Sequence, residues 1–151
     1  MPGFCYVQGR HNSAIKDIVQ RIGFSYARTT LNLCAAVPTD PYEMPTTVQL
    51  FPHRKQVYAK GFAKGGFDVV RARLLWASLT SENLAQRIEK LIALCETTGG
   101  YFHLWGHSWE LEEFDLWNTL EEVLCRLAAR SDTIKFATNY EAHRAATAKD
   151  R

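Results

Sequence analysis

The chain has 151 residues, 46% hydrophobic and 23% charged, a composition ordinary for one globular domain. Eighteen basic against sixteen acidic side chains give a net charge of +2 with no long run of one sign, which argues against a nucleic-acid partner. The longest apolar stretches fall short of the roughly 20 residues that span a bilayer, and the first residues carry no secretory h-region, so a cytoplasmic location without a membrane span is expected.

In chain order, Pro2 to Val7 reads as a short buried strand ended by Gly9. A helix follows, capped by Asn12 or Ser13, with Ala14, Ile15, Ile18, Val19 and Ile22 at helical spacing and Gly23 as its stop. Phe24 to Ala27 is the next strand, and strand, helix, strand in so short a span argues for a parallel sheet covered by helices. From Leu31 to Phe67 four prolines break the pattern, so ordered loops are expected there, with one strand-like run at Thr47 to Phe51.

Ser81 to Thr98 predicts a helix whose inner face is Leu84, Ile88, Leu91, Ile92 and Cys95, closed by Gly99-Gly100. Tyr101 to Trp105 then alternates as a strand does. Another helix is expected after Asn118, with Thr119 and Glu122 as a capping box and Leu120, Val123, Leu124, Leu127 and Ala128 inward. Thr133 to Phe136 reads as a last strand, and Thr138 with Glu141 boxes a terminal helix. Cys5, Cys34, Cys95 and Cys125 are widely spaced among apolar residues, which reads as four buried, reduced thiols. The whole is an α/β chain forming a single domain over residues 1–151.

Titratable and aromatic residues concentrate in Phe102 to Glu110, at the C-terminal end of a predicted parallel strand, where α/β sheets place their ligands. Gly106 lets the chain turn there, and an imidazole suits general acid work near neutral pH, so His107 is the catalytic candidate. The competing reading is a histidine that caps or packs at the strand end. His103 alternates away and is expected to be buried against a helix. Four residues separate His103 from His107, a metal-binding spacing on a helix, but the strand pattern argues against that use. Trp105 and Trp109 could offer flat faces to a sugar ring, whereas Trp117 reads as core. Arg28, at the end of the second strand, is either a carboxylate clamp or a solvated charge. Asp40 to Pro45 reads as a turn, and His53-Arg54-Lys55 as a basic surface knot.

The run FHLWGHSWELEE, from Phe102 to Glu113, resembles the closing motif of polysaccharide deacetylases of the NodB-homology type. Gly3 to Asn12, followed by Gly23 to Thr30, resembles the same family's middle motif and the strand beyond it. The resemblance implies the C-terminal part of a distorted (β/α) barrel and a metal-dependent hydrolase that removes acetyl groups from sugars. In that family a metal-held water attacks the acetyl carbonyl, an aspartate takes its proton, and a closing-motif histidine protonates the leaving amine. His107 matches that histidine. Trp105, Trp109, Arg28 and Gln8 would contact the substrate, and the loop backbone after Val7 would lend an N–H to the oxyanion.

The chain departs from the family at Val7, where proline is usual, and at Cys5, commonly the arginine that orients the base. The Asp-Asp pair and His-x-x-x-His element that hold the family's zinc precede the middle motif and have no counterpart here. The sequence therefore implies no metal bound by this chain alone and negligible deacetylase activity, with the metal half expected upstream or on a second chain. The alternatives are a glycan-binding half-barrel that does not cut, and a non-functional remnant. The open edge at Phe4 to Val7 is expected to aggregate, dimerise or pair with that second half.

Overall fold

A computed structural model describes residues 3–149, with side chains described up to residue 145. Its strands are β1 (Gly3–Cys5), β2 (Tyr26–Arg28), β3 (Val48–Gln49) and β4 (Leu104–Trp105). Its helices are α1 (Ser13–Arg21), α2 (Lys55–Lys64), α3 (Val69–Leu79), α4 (Leu84–Thr97), α5 (Ser108–Glu113), α6 (Trp117–Ala128) and α7 (Asn139–Lys149). Parallel pairing is present twice, β1 with β2 and β3 with β4, in the registers Cys5 to Arg28 and Gln49 to Trp105. An isolated parallel bridge adds Met44 beside Arg28. The fold is mixed α and β with parallel strands, but the strands stay in two short sheets and close no barrel among the described residues.

The first unit follows the expected order. Asn12 Oδ1 accepts from the Ile15 N–H at 2.9 Å and caps α1. The inner face of that helix is narrower than its apolar periodicity suggests. Only Val19 is buried, packed with Tyr6 and Ala27, while Ile15, Ile18 and Ile22 face solvent. Lys16 bonds Asp40 and Glu43, which ties α1 to the loop beyond β2 and raises the Lys16 pKa. The turn after β1 depends on Gly9, at φ +69°, where a Cβ would lie 2.2 Å from Thr30 Oγ1 and 2.7 Å from the Thr30 backbone N. Gly9→Ala is thus expected to cost about 2 kcal/mol or more in urea melts, whereas Gly66→Ala, at φ +77° in open space, should cost only the backbone term of about 1 kcal/mol.

The main core is helical. Leu84, Ile88, Leu91, Ile92 and Cys95 of α4 are all buried as expected, against Leu74 and Ala77 of α3 and Val123 and Leu127 of α6. The α4 helix starts at Leu84 with Asn83 as its cap, not at Ser81.

Two helices lie outside the expected pattern. In α2 only Tyr58 is buried, so the segment carries no apolar stripe to announce it within the region read as loop. In α3 the inner face includes Arg71 and Ser78 while Val69 and Trp76 are exposed, which inverts the usual pattern. Arg71 earns its burial by bonding the Gly61 and Phe62 carbonyls at the end of α2 and the Cys34 thiol.

Other expectations are corrected. The α6 helix begins at Trp117 with no side-chain cap at Leu116, and Glu122 bonds Arg126 at 2.7 Å instead of boxing with Thr119. Residues 133–136 form no strand, because the Thr133 and Ile134 N–H groups turn back to the Arg130 carbonyl. The Thr138 and Glu141 box does form at the start of α7. Cys34 and Cys95 are buried, and burial lifts the Cys95 thiol to about 12, but Cys5 and Cys125 are exposed. Trp117 is exposed as well, its indole donating to Glu112 Oε2 at 2.8 Å.

Candidate functional site

Threonines and backbone bonds align the strand ends. The Thr47 and Val48 N–H groups both bond the His103 carbonyl, Leu50 N–H bonds the Trp105 carbonyl, and Thr47 Oγ1 accepts from His103 N–H at 2.9 Å. The Met44 N–H bonds the Ala27 carbonyl, which links this pairing to β2. Arg28 and Trp105, each the last residue of its strand, meet with the guanidinium carbon 5.5 Å from the indole centroid. The same guanidinium donates to Cys5 Sγ at 3.1 Å. Arg28 is therefore half-buried, with its guanidinium against the Trp105 ring and the Cys5 thiol.

Past β4 the chain passes through Gly106, whose φ is not positive and where a Cβ would come no nearer than 3.5 Å to Leu50, and His107 is the residue before the first turn of α5. Its ring stands edge-on to Trp105 at 5.3 Å between centroids and stacks on Trp109 at 5.4 Å, with only 18° between the planes. His107 is exposed and makes no side-chain capping bond. Trp109 is 59% exposed, so one indole face is open to a ligand. Trp105 and Trp109 thus flank His107 at the C-terminal end of a parallel strand, and Arg28 lies against Trp105.

Gln8 stands apart. It has φ +54°, its carbonyl accepts from Thr30 Oγ1 at 3.4 Å, and no contact among the described residues joins its side chain to the tryptophans. The Gly9 and Arg10 N–H groups bond the Tyr6 and Val7 carbonyls, so neither is available to an oxyanion.

His103 is half-buried beside β4. Nδ1 shares a 2.7 Å hydrogen bond with the Tyr101 hydroxyl, which lies 2.9 Å from Asn139 Oδ1 at the start of α7. Burial, helped by the nearby Arg28 charge, pulls its pKa down to about 4, so the ring is neutral at pH 7.

A network that the sequence does not announce holds α5 in place. Glu110, 8% exposed, accepts from the Gln49 side-chain amide at 2.7 Å, and the Gln49 amide oxygen meets His53 Nε2 at 2.8 Å. His53 is therefore half-buried and bonded, not part of a surface knot. Glu110 falls inside the run that suggested the site, but Gln49 carries no local signal at all. Among the described residues no three His, Cys, Asp or Glu side chains converge to hold a metal ion. No described helix is long and apolar enough to cross a membrane. No known protein family, curated protein or solved structure matches the chain.

Proposed function

We infer that the Trp105, His107 and Trp109 cluster is the sugar-binding and proton-donating face of a polysaccharide deacetylase-type domain acting on acetylated sugars. The observation that carries this reading is the placement of an exposed imidazole between two indoles at a strand exit, one indole open to solvent and the other backed by Arg28. An indole face accepts the C–H face of a pyranose, and an adjacent imidazole can protonate the sugar amine as its bond to the acetyl carbon breaks. Within this reading Arg28 and Glu110 are positioning residues: Arg28 fixes the Trp105 plane, and Glu110, through Gln49, fixes the start of α5 on which His107 and Trp109 sit.

The reading gives this chain recognition and proton donation, while the metal and the base would come from residues other than those described. Titration calorimetry with a trisaccharide of N-acetylglucosamine is expected to show saturable binding, weakened about tenfold in Trp109→Ala, the loss of one stacked face. Acetate release by the 151-residue chain should stay at background with and without added zinc. Absence of saturable binding to any acetylated sugar would remove the reading. The non-catalytic alternative, a glycan-binding half-barrel, shares the same binding face and is favoured over the hydrolase if His107→Gln leaves sugar affinity unchanged and no completed assembly releases acetate.

A further inference from the structure

A cleft of about 350 Å³ lies at the far end of the Gln49 network, a volume that suits a small molecule. Phe51, Val57 and Phe114 supply apolar walls, and His53, Arg54 and Lys60 are the ionisable groups that line it. Phe51 and Phe114 meet edge to face, 4.9 Å between centroids at 78°, and Phe51 lies 4.7 Å from the His53 ring. The lining holds two cations and no acid, and neither the Arg54 nor the Lys60 side chain has an ion pair or hydrogen bond among the described residues.

The relay behind the cleft sets the state of His53. A carboxylate oxygen only accepts, so the Gln49 amide nitrogen must face Glu110 and its oxygen must face the imidazole. The oxygen in turn requires a donor, which places the His53 proton on Nε2. Burial lowers the His53 pKa, partly offset by Glu110, so the ring is neutral and Nδ1 remains an acceptor. No hydrogen bond from the described residues reaches Nδ1. The lining of the cleft therefore combines an imidazole whose Nδ1 has no hydrogen-bond partner among the described residues, two cations and aromatic walls.

We propose that this cleft binds a small hydroxyaryl carboxylate, its ring against Phe51 and Phe114, its carboxylate toward Arg54 and Lys60, and its hydroxyl donating to His53 Nδ1. The site is independent of the sugar reading, since it shares no lining residue with Trp105, His107 or Trp109.

The test is an NMR titration of the full chain with 4-hydroxybenzoate, benzoate and phenol. Saturable shifts are expected at Phe51, His53 and Phe114. One net hydrogen bond should make 4-hydroxybenzoate bind about 3- to 10-fold tighter than benzoate, with phenol weakest. His53→Phe should abolish the hydroxyl advantage while leaving benzoate binding. Should that variant fail to fold, the surface double variant Arg54→Gln, Lys60→Gln decides the matter, because the preference for benzoate over phenol should vanish in it. The proposal is overturned by an absence of saturable shifts at these residues, by equal binding of benzoate and phenol to the unaltered chain, or by a hydroxyl advantage that survives in His53→Phe.

Discussion

Acidification from pH 6.5 to pH 4 is expected to remove on the order of 2–3 kcal/mol of stability through His103 alone. The folded chain holds this imidazole at about 4 because the ring is buried, with the Arg28 charge acting in the same direction and the Pro45 carbonyl only partly opposing it. Above about pH 7.5 the ring is essentially neutral in both states and contributes almost nothing to the pH dependence. As the pH falls below that, the unfolded chain takes up a proton that the folded chain refuses, and stability drains away until the folded ring also protonates near pH 4. His53, with its pKa lowered by burial, adds to the loss with the same sign. Urea unfolding at pH 7, 5.5 and 4.5 measures the slope. His103→Gln should be less stable at pH 7, having lost the bond to Tyr101, but flatter across the window. A slope unchanged in that variant would mean that the ring is not the buried neutral group described.

The second large effect belongs to the helical core. Ile88 is fully buried in α4, within a cluster that joins α3, α4 and α6, and Ile88→Ala removes three carbons from it. The transfer and cavity terms together should cost about 3–4 kcal/mol. Leu124→Ala on α6, where the side chain is 51% exposed, should cost under about 1 kcal/mol and serves as the control in the same denaturation series. Near-equal losses would place the core elsewhere.

What the sequence makes legible follows from where physical signals are local. The α4 helix repeats apolar residues on one face, and the α1 cap and the Thr138 box are short-range motifs, so each is readable from the chain alone. The α3 helix is not, because its buried face is built from Arg71, whose partners are carbonyls of α2 and a cysteine 37 residues away. The Thr119 box fails for a comparable reason. Glu122 has a better partner one turn on, in Arg126, and that competition is invisible without the folded helix.

The site divides the same way. Trp105, His107 and Trp109 lie within five residues, and the local course of the chain from β4 into α5 suffices to bring their rings together. Arg28 and Cys5 join them only through strand register, and Gln49 joins Glu110 across 61 residues. Gln8 enters only through the resemblance, and it occupies the turn before Gly9 with φ +54°.

Whether acetylated sugars bind at this cluster is tested most directly by following the Trp105 and Trp109 indole N–H signals and the His107 ring signals while a trisaccharide of N-acetylglucosamine is added. The account predicts that all three move together and saturate at one affinity, and that the fully deacetylated trisaccharide moves them less. Saturable sugar binding that leaves these three rings untouched, or no response to either sugar, would contradict it.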